Sequence, residues 1–225
     1  MFDQSHTHLL ITGARHFGLE LSPEDLSRFS LYLEEIQRWS GITNLVSQAA
    51  PTTIIRKHIL DSLAITGLIP AEGRVLDLGS GAGFPGLVLA LVKPRQEIVL
   101  LEARRKRASF LKEVARKTKI TNLKIYEGRA EVLSAEKSLY LSFPIVVTRA
   151  TWNIREFLLL ANPFIENRGI ALAMKGPQAE KELEKLDQTL ENTSFYLQRK
   201  YEYILPFGTE KRQIIVFGKN VQRET

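Results

Sequence analysis

The chain has 225 residues, carries 31 Lys and Arg against 25 Asp and Glu for a formal charge of +6, and contains no cysteine. That length can bury a sizeable core, and the absence of thiols excludes disulfides, thiolate metal sites and a covalent cysteine nucleophile. The longest unbroken apolar run, Leu87 to Val92, is far too short to cross a bilayer, and the start MFDQSHTHLL has no signal-like core, so a soluble cytoplasmic protein is expected.

From residue 1 to about 70 the pattern is helical. Ser22-Pro23-Glu24-Asp25 is a strong helix start: a hydroxyl cap, a proline in the first turn and acids at the positive end of the dipole. Leu26, Phe29, Leu33 and Ile36 follow at helical spacing, and Gly41 is the expected stop. A further helix is expected over about 51 to 66, with Ile55, Ile59, Ser62 and Leu63 on one side. This gives a helical extension, 1–70, ahead of a second unit, 71–225.

Beyond Gly73 short apolar strands alternate with longer amphipathic segments. Strands are predicted at Arg74 to Leu78, Glu97 to Glu102, Leu123 to Tyr126, Ile145 to Thr148 and Ile170 to Met174, with helices starting near Gly86, Arg105, Ala130 and Ile154. That alternation predicts an α/β fold with a mostly parallel sheet covered on both faces. A polar helix over Gln178 to Leu190 leads to two runs, Phe195 to Leu205 and Arg212 to Phe217, joined through Pro206-Phe207-Gly208 as a hairpin that makes the last strand antiparallel.

The chemistry concentrates in Val75 to Ala90, VLDLGSGAGFPGLVLA. Glycines at 79, 81, 83 and 86 suit a backbone that needs positive φ or a close approach by a ligand. A phosphate-binding P-loop would end in Gly-Lys-Ser/Thr, which Phe84-Pro85-Gly86 does not. A dinucleotide fold is the stronger competitor, because Gly81 to Gly86 fits its fingerprint and Glu102 stands where a ribose-binding acid belongs. Asp77, two residues before the first glycine, favours a cationic ligand over a pyrophosphate. S-adenosylmethionine carries a sulfonium and an ammonium and no phosphate, and Asp77 to Gly83 follows the acid-x-Gly-x-Gly-x-Gly pattern of class I, Rossmann-like methyltransferases. On that reading Glu102 accepts the ribose hydroxyls, Phe84 borders the cofactor, and the main chain at Ala130 and Glu131 meets the adenine.

Trp39 to Leu45, His58 to Leu63 (H-x-x-D-S-L), the loop Asp77 to Gly86, Lys106-Arg107 with Phe110-Leu111, Thr148-Arg149-Ala150, and Met174-Lys175-Gly176 form an ordered set. Together they resemble one family, the bacterial methyltransferases that modify N7 of a guanine in small-subunit (16S) ribosomal RNA, long called glucose-inhibited division protein B. The resemblance implies a seven-stranded sheet, S-adenosylmethionine as methyl donor with S-adenosylhomocysteine as product, a guanine of the decoding region as target, and cofactor contacts at Gly79, Phe84, Ala130, Glu131 and Arg149. Many relatives have an aspartate and a serine or threonine where this chain has Glu102-Ala103-Arg104-Arg105.

Guanine N7 holds an available lone pair, so no general base is needed and the task is positioning. Arg149 is the first candidate for touching both substrate and cofactor, an ion pair with a neighbouring acid such as Asp77 or Glu102 being the bland alternative and compatible with it; Lys175 is the next catalytic candidate. Arg104, Arg105, Lys106 and Arg107 follow a strand that ends at the pocket and are expected to hold RNA phosphates; Arg56, Lys57, His58 and Lys175 extend that surface. A monomer acting on the small ribosomal subunit, without metal or membrane, is expected. The competing functions are a methyltransferase for another RNA or a small molecule, a non-catalytic RNA-binding factor that senses the cofactor, and a nicotinamide oxidoreductase.

Overall fold

The computed structural model describes residues 3–149, 152–186 and 194–221. Helix α1, Gln4–His16, starts where the Asp3 carboxylate accepts the Ser5 and His6 amides. Helix α2, Pro23–Ser40, starts on the expected cap, with Ser22 and Asp25 each accepting the other's backbone N–H, and it buries Phe29, Tyr32, Leu33 and Ile36.

The helix expected over 51 to 66 is instead a composite: α3, Pro51–Ile54, a π turn over Ile55–Ile59, α4, Leu60–Leu63, and a 3-10 turn over Thr66–Leu68. Ile54 and Ile59 stand five residues apart, as do Ile55 and Leu60, and all four are fully buried. A regular α-helix would turn one pair aside; one wide turn buries both.

The strands are β1, Gly73–Leu78; β2, Gln96–Glu102; β3, Leu123–Glu127; β4, Phe143–Arg149; β5, Ile165–Lys175; β6, Phe195–Ile204; and β7, Lys211–Lys219. They form one seven-stranded sheet in the order β3-β2-β1-β4-β5-β7-β6. The first five are parallel, and β7 runs antiparallel between β5 and β6. Every predicted strand is therefore present, although β5 starts ahead of Ile170, pairing Ile165 with Phe143 before a register shift.

Because successive side chains alternate across a strand, the sheet feeds two cores. Val75, Leu100, Ile145 and Val147 pack with α1, α2, the composite segment, α5 (Gly86–Val92) and α6 (Arg105–Thr118). Leu76, Val99, Val146 and Ala171 pack with α7 (Ala130–Leu133), α8 (Ile154–Ala161) and α9 (Ala179–Glu184). Helix α9 is shorter than the polar helix expected over Gln178 to Leu190, whose last four residues lie outside the described ones, as do Ala150 and Thr151. Strand order reverses between β1 and β4, so the crevice beyond their carboxyl ends is where an open α/β sheet binds ligands. Among the described residues no helix is long and apolar enough to cross a membrane.

Candidate active site

The glycine loop leaves β1 at that crevice. Gly79, Gly81 and Gly83 have φ of +72°, +58° and +95°, left-handed values that glycine adopts without strain. At Gly83 an added Cβ would also lie 2.8 Å from Leu87 Cβ and 2.9 Å from the Tyr32 hydroxyl. Tyr32 of α2 donates to the Ala82 carbonyl at 2.5 Å, and the amides of Gly79 and Ser80 donate to Leu101 O. The loop is thus pinned from the helical cap and from β2.

Two acids hold it from within. Asp77 is 1% exposed, and its Oδ2 accepts the Gly86 amide at 2.9 Å, fixing the start of α5. Its Oδ1 has no hydrogen-bond partner among the described residues, and burial pushes the carboxyl up to about 7. Asp77 therefore sits buried beneath the loop and fixes its geometry from there. Glu102 accepts the Gly81 amide on Oε2 at 2.8 Å and the Arg104 amide on Oε1 at 2.7 Å. With Gly79, Arg129, Ala130, Glu131 and Trp152 it lines a cavity of about 290 Å³. Four of the cofactor candidates, Gly79, Glu102, Ala130 and Glu131, thus share one cavity.

Arg149 ends β4 on the other side of the loop. It makes an ion pair with a neighbouring acid, as the sequence allowed, and that acid is Asp61 of α4, NH1 to Oδ2 at 3.1 Å. NH1 also donates to Lys57 O at 3.2 Å, NH2 donates to His58 Nδ1 at 2.8 Å, and the guanidinium lies 4.9 Å from the centre of the Phe84 ring. The π turn carries Lys57 O and His58 side by side for this contact. Phe84, buried, also stacks on His58, with centroids 5.0 Å apart and planes 21° apart. His58 is driven down to about 3 by burial first and by the charges of Arg149, Lys57 and Arg212 after that.

These groups border a second cavity, of about 460 Å³, lined by Lys57, His58, Asp61, Arg149, Lys175 and Arg212 among others. Lys175 reaches its edge from the end of β5, but its Nζ is engaged by Trp152 O at 2.5 Å and Glu182 at 2.9 Å. Arg56 is turned towards the hairpin, donating to Phe207 O, and Lys57 stands 3.9 Å from Glu210. A third cavity, of about 530 Å³, joins Arg104, Arg105, Lys106 and Arg107 to the 40–44 turn, with Arg107 donating to Asn44 O at 3.2 Å. All four cations face one opening at the start of α6, whose first turn holds no acid.

Sequence reasoning missed the junction at the centre of the second cavity. Asp61 is 5% exposed and takes, besides Arg149, the Tyr203 hydroxyl at 2.6 Å and Arg212 at 3.7 Å. Burial first, then the Asp61 charge, push the Tyr203 phenol far above its ordinary value, so it stays a donor. The helix motif contained Asp61; nothing local marks Tyr203 or Arg212, which come from the hairpin.

Strand order, the acid-led glycine loop and an acid closing β2 define a Rossmann-like methyltransferase. Solved structures share the fold: a P. horikoshii TYW2 in complex with MeSAdo (TM-score 0.56, 10% identity, 72% of this chain and 62% of that one), and a mutant of MtNAS (TM-score 0.56, 15% identity, 97% and 78%). The family model for rRNA small subunit methyltransferase G matches residues 25–214. "Ribosomal RNA small subunit methyltransferase G" of Syntrophus aciditrophicus (strain SB) is 35% identical over 93% of this chain and 88% of its own length. The protein of the same name from Geobacter sp. (strain M21) is 33% identical over 96% and 99%. The chain belongs to this family of ribosomal RNA methyltransferases.

Proposed function

We propose that the chain transfers a methyl group from S-adenosylmethionine to N7 of a guanine in the decoding region of small-subunit ribosomal RNA. The donor fits the loop side. Left-handed glycines let the loop turn tightly, with Gly83 pressed against Leu87 and Tyr32, and each Glu102 oxygen keeps a lone pair for a ribose hydroxyl after serving one amide. The orphaned buried oxygen of Asp77 suits a cation and would repel a pyrophosphate. Bound there, the donor supplies an activated methyl on sulfur; Gly79, Glu102, Ala130 and Glu131 hold it, and Phe84 with Arg149 forms the wall towards the acceptor.

The observation that carries the N7 reading is the state of Asp61. The carboxylate bordering the acceptor cavity is fully engaged by Arg149, Tyr203 and Arg212, and His58 at about 3 is a poor base. Such a site suits an acceptor with a ready lone pair and no proton to lose. Its work is then alignment and exclusion of water. Arg104 to Arg107 would hold backbone phosphates beside the cleft, with Lys57 and Arg56 continuing the cationic rim. In this reading residues 1–70 roof the acceptor cavity and 71–225 carry the cofactor.

Radiolabelled S-adenosylmethionine supplied with small subunits and naked ribosomal RNA from cells lacking this protein tests the proposal. Label should enter the RNA and chemical scission at N7-modified guanine should map to one decoding-region nucleotide. Label confined to small molecules, or label in the RNA with no scission at a guanine, would overturn it.

A further inference from the structure

We infer that His58 reads the carbonyl oxygen at position 6 of the acceptor purine, donating a hydrogen bond from Nε2. The inference rests on the guanine reading above. A guanidinium has donors only, so the 2.8 Å contact from Arg149 requires a bare lone pair on His58 Nδ1. The ring hydrogen must then sit on Nε2, which has no hydrogen-bond partner among the described residues. The stack on Phe84 fixes the plane of the imidazole, and the residue lines the acceptor cavity. Burial and three neighbouring cations hold the ring neutral, so this tautomer persists through the physiological range.

A fixed N–H donor discriminates at one purine position. Beside N7, guanine presents the O6 acceptor and adenine the N6 amino group. An amino group facing Nε2–H would oppose two donors, whereas O6 pairs with it. Arg149 is less suited to this task, because NH1 spends both its hydrogens on Asp61 and Lys57 O and NH2 is turned to His58 Nδ1. Arg149 instead sets the tautomer, and His58 touches the base.

The test uses the whole protein and subunits reconstituted with guanosine, inosine or 2,6-diaminopurine at the target nucleotide. All three keep N7, and only the last replaces O6 with an amino group. Wild type should methylate inosine at a rate close to guanosine and 2,6-diaminopurine about 10- to 100-fold more slowly. His58→Phe keeps a ring over Phe84 but lacks the donor; it should slow on guanosine and narrow that gap to about threefold or less. His58→Gln, which offers an amide N–H, should restore part of both rate and discrimination. Calorimetric titration with S-adenosylmethionine should show cofactor binding in every variant. Equal wild-type rates on inosine and 2,6-diaminopurine overturn the inference whether or not the variants fold, and so does an undiminished gap in His58→Phe. Absence of transfer to guanosine by the wild type removes the function reading itself, and this inference with it.

Discussion

Asp77 and Asp61 are both buried, and their surroundings set them opposite tasks. Asp61 is met by two guanidinium groups and a phenol; Asp77 has one amide and an empty oxygen. The native pKa of Asp77, about 7, lies above its ordinary 3.8, so between those values the native state holds a proton that the unfolded chain has released. Stability contributed by this group is therefore present at low pH and lost as pH rises from about 4 to about 7, after which the loss is constant. Urea denaturation of the ligand-free protein should show wild type losing up to about 4 kcal/mol relative to Asp77→Asn across that interval. A difference that does not vary with pH would place the titration elsewhere. Arg149→Ala should reduce methyl transfer by about 100-fold or more while leaving cofactor titration intact. Its stability cost should stay near about 1–3 kcal/mol, because Asp61 keeps Tyr203 and Arg212. Near-normal turnover would remove Arg149 from the site.

At the level of elements, the loop and the α6 start were legible and the composite helix was not. Asp77, the spaced glycines and Glu102 are near neighbours in sequence or in adjacent strands, so their pattern survives in one dimension. The π turn left a trace in apolar pairs five apart, but helical periodicity absorbs such pairs when one period is assumed throughout. The basic run was visible, whereas its partner surface, the 40–44 turn, depends on how α2 ends over α6. If that cavity holds phosphates, Arg104→Gln with Arg105→Gln should weaken RNA binding and make the slope of log affinity against log salt shallower by about 1 to 2 units. An unchanged slope would assign the run to a solvated surface. Gly83→Ala should impair cofactor binding and lower stability, since it adds left-handed strain to a contact with Leu87 and Tyr32. Wild-type binding in that variant would mean that the loop tolerates repacking.

Across the whole molecule the junction at the second cavity is assembled from three distant parts: α4 gives Asp61, β4 gives Arg149, and the β6–β7 hairpin gives Tyr203 and Arg212. No local pattern foretells that meeting, because it is set by sheet order. Tyr203→Phe deletes one hydroxyl from this junction and should lower stability by about 1–2 kcal/mol, read as a fall in thermal midpoint. It should also reduce transfer more than cofactor affinity, since Tyr203 lies outside the loop cavity. An effect confined to cofactor affinity would contradict the junction. The order β5-β7-β6 has a consequence for synthesis. Strand β6 leaves the ribosome before β7 yet has no edge to join until β7 has docked on β5. A half-made chain can hold the glycine loop while the hairpin side of the second cavity is still missing, so that cavity takes its shape only as the final strand slots home.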